Sequence, residues 1–181
     1  VNAMPAADGA IALLALGAEL EIASAGGQRW ATVETLCQGP GRSKINPGRE
    51  MVTAIRFPAL GQGQGSAFER LARRKALALP VLNAAVVIAL DGERIAWARI
   101  AIGPVAPVPF RAAQAEAFLR GAPTGEAAIR RAAGLAAGEA QPRSSLLRAS
   151  LEYRKEMVAV LVHRALERAL QQAQSQAGWE A

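Results

Sequence analysis

The chain has 181 residues, half of them apolar, with a formal net charge of +6 and a single cysteine and histidine, Cys37 and His163. That is enough chain for one sizeable core or two small ones without staples. An internal disulfide, a multi-cysteine zinc or iron–sulfur site and a histidine-rich metal site are all excluded. The longest apolar run, "AIALLALGA", is about half the length a bilayer span needs, and no basic region precedes it as in a secretory signal, so a soluble, cytoplasmic protein is expected.

Taken in chain order, "DGAIALLALGA" reads as a helix with Asp8 at the N-cap and Gly17 ending it. "AELEIASAGGQRWATV" reads as a hairpin around a Gly-Gly turn. "ETLCQGPGRSKINPGRE" is too rich in Gly and Pro for regular structure over most of its length, and "MVTAIRFP" after it partly alternates like a strand. The glycine-dense "ALGQGQG" marks a boundary near residue 60, dividing the chain into residues 1–60 and 61–181.

Beyond the boundary, "SAFERLARR" alternates as a strand, "LNAAVVIAL" is a nearly continuous apolar run, "DGE" is a turn and "RIAWARIAIG" is strand-like again. Three strands on short turns predict an antiparallel meander. After the Pro-punctuated "PVAPVPF", helices fit "RAAQAEAFLRG", closed by Gly121, and "GEAAIRRAAGLAAGEA", interrupted by Gly134. A last, longest helix over about 150–174 places Leu151, Val158, Leu161 and Ala165 on one face. The fold class is therefore α+β, with a helical layer on one face of a three-stranded sheet.

Few residues offer chemistry. "GQGQG" resembles a phosphate cradle only superficially, because a strand rather than a helix follows it, and it reads as a flexible loop. Cys37, His163 and the carboxylates Glu116, Glu126 and Glu152 read as structural or surface groups, leaving no evident catalytic residues and no metal site. The basic segment "FERLARRK", with Arg70, Arg73, Arg74 and Lys75, can hold a diphosphate or an acidic partner, or be a solvated strand face. Elsewhere the basic residues scatter, and aromatic residues to stack on bases are few, so net charge alone does not make a nucleic-acid binder. Asp8 is open to two readings, helix cap or ligand contact.

In combination these segments resemble one family. "NAMPAADGAIALLALGAELEI" is similar to N-x-x-P-x-x-D followed by a helix and a strand, and "GPGRSKINPGREMVTAIRFP" to a G-P-G-R-[ST] loop and its strand. "GPVAPVPFRAAQAE" resembles G-x-V-A-P-x-P-x-R, and "SLEYRKEMVAVLVHRAL" the closing helix with its Y-R pair. The family is that of the FAD-binding medium subunits of molybdenum hydroxylases, of the carbon monoxide dehydrogenase and xanthine dehydrogenase type.

The resemblance implies the tail of a second FAD-binding lobe followed by the family's C-terminal domain. It implies FAD as cofactor in an oxidoreductase subunit that carries electrons from iron–sulfur centres to an acceptor. Molybdopterin and 2Fe-2S centres are expected only on partner chains, a large and a small subunit, and no nucleic acid is expected as a partner. The positions matching family contacts are Asp8, near the ribityl or diphosphate portion, Val52, whose backbone approaches the ring, Arg70 or its neighbour Glu69 in place of a frequent Lys, and Arg73 in the loop "RRKALALP" against the isoalloxazine. That loop carries Ala and Leu where relatives often have acidic or aromatic residues. The first lobe and the T-x-G-G-N motif are expected to lie before Val1, at a cut, so that the chain alone is inactive and its FAD site incomplete. A non-catalytic subunit-assembly domain is the alternative.

Overall fold

A computed structural model describes residues 2–74, 77–145 and 149–177. Lys75, the last residue of the basic segment, lies outside the described residues. Helix α1 (Asp8–Leu16) is followed by the hairpin β1 (Glu19–Ser24) and β2 (Gly27–Thr32), a single turn α2 (Val33–Leu36), two short paired strands β3 (Cys37–Gly39) and β4 (Arg42–Ser43), and β5 (Glu50–Arg56). β5 returns antiparallel to β1, giving the order β2-β1-β5. The hairpin turns at Ala25–Gly26, with Gly27 at φ 122° opening β2.

The second sheet is a meander of β6 (Gln64–Leu71), β7 (Leu82–Asp91) and β8 (Arg94–Gly103), with a two-residue β9 (Phe110–Arg111) added at its edge. Helices α3 (Ala113–Leu119), α4 (Glu126–Glu139) and α5 (Leu151–Ala177) follow. β7 explains its own composition. Leu82, Ala84, Val86 and Ile88 point into a core with Val158, Val162, Ala165 and Ala169 of α5, while Ala85 and Val87 point the other way, into a cluster with Ile11, Leu14 and Ala15 of α1. A strand buried on both faces has no reason to alternate. The C-terminal helices thus cover one face, and α1, from the other end of the chain, covers the opposite one.

Four sequence expectations are corrected. Ala7, not Asp8, is the N-cap of α1, and Asp8 is the first helical residue, with no side-chain cap hydrogen bond. α4 runs unbroken through Gly134, because one mid-helix glycine costs only about 1 kcal/mol. Glu116 is no surface charge: it is mostly buried, accepts the Ile100 N–H at 2.8 Å and is clasped by Arg111, with Nη2–Oε2 at 2.5 Å. That clasp raises the Arg111 guanidinium above its ordinary pKa, and it welds α3 to the edge of the sheet.

The last glycine of "GQGQG" is likewise not loop. Gly65 lies within β6, and a Cβ there would sit 2.0 Å from the carbonyl oxygen of Ala169 and 2.7 Å from the amide nitrogen of Ala173. The backbone of α5 lies directly on that strand. Arg154, of the "EYRKEM" segment, is buried and donates to the carbonyls of Arg143 and Pro104, tying the start of α5 to two connections.

Gly65→Ala is expected to destabilise by about 1–3 kcal/mol, because α5 must move off the sheet. Gly134→Ala, with nothing within 4 Å of its new methyl, is expected to stabilise by about 0.5–1 kcal/mol. Urea denaturation of the two variants checks both signs.

Candidate cofactor-binding site

Strand register brings three residues into one row across the second sheet. Arg70 on β6 pairs with Asn83 on β7, and Asn83 pairs with Gly103 on β8. Directly paired residues point to the same face, and this is the face on which α1 lies. Asp8 therefore meets the row from above. Arg70 Nε donates to Asp8 Oδ2 at 3.0 Å, and Asn83 Nδ2 donates to Asp8 Oδ1 at 2.6 Å. Gly103 makes the approach possible: a Cβ there would lie 2.6 Å from the Pro5 carbonyl and 2.8 Å from Asn83 Oδ1.

Asn83 is fully buried, and its Oδ1 has no hydrogen-bond partner among the described residues. It stands in the otherwise apolar run of residues 82–90 as a polar residue that holds Asp8. Sequence reasoning passed over it; the one signal was an amide inside the run "LNAAVVIAL". Arg70 also donates through Nη2 to the Ala78 carbonyl, so the same guanidinium ties the β6–β7 connection to the helix.

The four expected site residues are not all brought together. Asp8 and Arg70 meet, and Glu69, which points to the opposite face, pairs with Arg168 on α5 at 2.6 Å. Period-two alternation separates these neighbours. Arg73 stands exposed in the β6–β7 connection, and Val52 pairs with Ile22 and packs against the α1 cluster.

Asn2, Ala3, Met4 and Ala7, ahead of Asp8 in the chain, border an apolar cleft of about 410 Å³ whose lining also includes Leu13, Leu36, Cys37 and Leu79. This lies within the usual range for small-molecule sites. The Gly-rich loop is attached to it, since the Gly41 N–H donates to the Ala3 carbonyl at 3.0 Å. Leu77 and Leu79 in the β6–β7 connection are 91% and 58% exposed, an apolar surface with little protein cover. Partial burial pushes the Cys37 thiol pKa up, which leaves less thiolate, and His163 is engaged elsewhere by Glu126 and Glu167.

An antiparallel sheet and its helix thus pack on an α+β body and are tied to it by a carboxylate–guanidinium–amide cluster. Comparisons with known proteins identify the class of protein. Residues 66–169 match the model of the CO dehydrogenase flavoprotein C-terminal domain, and residues 1–60 match that of the FAD binding domain in molybdopterin dehydrogenase. The chain belongs to this family, the FAD-binding subunits of molybdenum hydroxylases.

Among relatives, the carbon monoxide dehydrogenase medium chain of Afipia carboxidovorans is 34% identical, over 96% of this chain and 59% of its own length. The glyceraldehyde dehydrogenase medium chain of Sulfolobus acidocaldarius is 32% identical, over 92% and 58%. The solved CO dehydrogenase of Oligotropha carboxidovorans superposes with a TM-score of 0.86 at 34% identity, covering 94% of this chain and 59% of that one. Quinoline 2-oxidoreductase of Pseudomonas putida 86 gives 0.83 at 27%, covering 97% and 59%. This chain spans a little under three fifths of the length of these relatives.

Asn83→Asp would set a second carboxylate against Asp8. Like charges raise a folded-state carboxyl pKa, so the variant is expected to lose on the order of 3 kcal/mol at pH 7. Because the pKa is raised, the penalty disappears as pH falls through the raised value. Denaturation of variant and parent at pH 7 and pH 5 should show the gap narrowing at the lower pH.

Proposed function

We propose that this chain is part of the FAD-binding subunit of a molybdenum-containing hydroxylase. In this reading residues 1–60 form part of the flavin lobe and residues 61–181 form the C-terminal domain. The observation that carries it is Asp8 fixed by Arg70 and Asn83 directly after Ala7, itself in the lining of an apolar cleft.

The residues present suit FAD. A flavin needs apolar walls for its ring system and polar groups for its ribityl and diphosphate portion, and the cleft and the Asp8 cluster supply both kinds of surface. When bound, FAD supplies the redox chemistry, accepting electrons and passing them to an acceptor. The chain's own groups bind and orient. Asp8, with both carboxylate oxygens held by donors, keeps lone pairs for a hydroxyl. Arg73, exposed on the β6–β7 connection, offers positive charge to a diphosphate. Leu77 and Leu79 give apolar cover, and the backbone near Val52 lies on the lobe that carries the Gly-rich loop.

The partners in this reading are a molybdopterin-bearing large subunit and a 2Fe-2S small subunit in a cytoplasmic complex. Further diphosphate contacts come from a first flavin lobe outside these residues, so this chain alone is inactive. Among the described residues no helix is long and apolar enough to cross a membrane. The assembly-domain alternative is favoured by one observation: Met51, Ile55 and Phe57 on and just after β5 are 65%, 49% and 51% exposed, an apolar edge suited to another chain.

Titration of FAD into the isolated chain, followed by flavin fluorescence, tests the reading. Binding should be micromolar or weaker, and Asp8→Ala or Arg70→Leu should weaken it at least tenfold. Submicromolar affinity would overturn the incomplete site. Binding indifferent to both substitutions would remove Asp8 and Arg70 from it.

A further inference from the structure

A second cavity, of about 500 Å³, opens where four connections meet: the segment ahead of α1, the Gly-rich loop, the β8–β9 connection and the α4–α5 connection. Met4, Pro5, Pro40, Pro104 and Val105 give it apolar wall, and Arg143, Ser144 and Arg154 give it polar wall. None of the residues lining it is acidic. Met4 also lines the apolar cleft, so the two cavities share one side chain.

The walls are braced. Arg154 is 4% exposed and donates to the carbonyls of Pro104 and Arg143, so one buried guanidinium holds two of the connections in place. The Gln141 N–H donates to the Val105 carbonyl at 3.0 Å and joins the same two connections again. Around Met4 and Pro40, the Ala7 N–H donates to the Met4 carbonyl and the Gly41 N–H to the Ala3 carbonyl, each at 3.0 Å. Three of the five apolar residues are prolines, whose fixed φ stiffens the wall further. A ligand entering such a cavity has little protein to order.

Charge selects the ligand. Arg143 is exposed, and with Arg154 it puts two guanidinium groups in a lining without a carboxylate. Ser144 Oγ accepts the Leu151 N–H at 3.1 Å, which sets the first turn of the 27-residue α5 beside the same wall. The partial positive charge of that helix end favours an anion, and a hydroxyl that accepts one hydrogen bond still has a proton to donate. A bare inorganic anion leaves the prolines and Val105 facing water, whereas an anion with an apolar body covers them. We propose that this cavity binds a small organic carboxylate, its charged end held by Arg143 and Ser144 beside Arg154 and its apolar body lying against Pro5, Pro40, Pro104 and Val105. The site stands apart from the flavin reading, since it needs neither Asp8 nor Arg70.

The test follows the methyl groups of Met4, Met51 and Met157, the three methionines, by NMR of the whole chain with isotope-labelled methionine. Benzoate and hexanoate are titrated, with neutral benzamide and inorganic phosphate for comparison. Both carboxylates should shift Met4 saturably and leave Met51 and Met157, which do not line the cavity, in place. Benzamide and phosphate should bind at least about tenfold more weakly, the first for want of charge and the second for want of an apolar body. Arg143→Gln should weaken benzoate binding at least about tenfold, and Ala106→Phe, which fills the cavity from its lining, should abolish it. Because Met4 also borders the cleft, these two variants decide which cavity the ligand enters. Arg143 is exposed and Ala106 partly so, and far-ultraviolet circular dichroism verifies that both variants are folded. No saturable Met4 shift, equal affinity for benzamide or phosphate, or unchanged benzoate binding in either variant would each overturn the proposal.

Discussion

The structure depends on the burial of β7 from both sides. Its even-numbered residues from Leu82 to Ile88 are covered by the C-terminal helices, and Ala85 and Val87 by α1 and the first sheet. Each sheet face removes apolar area from water only if its covering element is present. α1 and α5 come from opposite ends of the chain, so residues 1–60 and 61–181 are coupled through one strand. The closeness of α5 is set by Gly65, where helix backbone replaces a side chain.

The same geometry creates the candidate site. With α1 lying on β7 and β8, its first residue reaches the row of Arg70, Asn83 and Gly103, and the missing side chain at Gly103 leaves room for Pro5 and the Asn83 amide. A buried amide bonded to a carboxylate and a guanidinium on its other oxygen leave Asp8 little freedom to turn. Charge-assisted hydrogen bonds of this kind are among the stronger ones available to a partly exposed group. The carboxylate is thereby oriented by the C-terminal domain while its helix belongs to the first block.

The positive charge acquires a different meaning in the folded chain. Arg29, Arg56, Arg70, Arg111, Arg130 and Arg168 each pair with an acidic residue, and Arg56 also lies 3.9 Å over the ring of Trp30. Several of these pairs join elements distant in sequence, such as Arg168 on α5 with Glu69 on β6. Surface pairs of this sort contribute little each, but they distribute the cations rather than concentrating them in one track.

Much of the fold was legible in the sequence because local patterns agree with it: the hairpin of residues 19–32, the meander of β6 to β8 and the long amphipathic α5 all follow from periodicity and turn residues. The motifs "GPVAPVPFR" and "EYRKEM" carried the family, and their arginines prove to bind the structure together, Arg111 to Glu116 and Arg154 to two carbonyls. Of the site, the sequence determined that Asp8 and a basic strand existed. Only the tertiary structure decided that Arg70 rather than Glu69 meets Asp8, that Asn83 completes the cluster and that Gly65 and Gly103 are points of contact rather than flexibility. Those decisions rest on strand register and on which sheet face a helix from elsewhere in the chain covers, and neither quantity is written in local spacing.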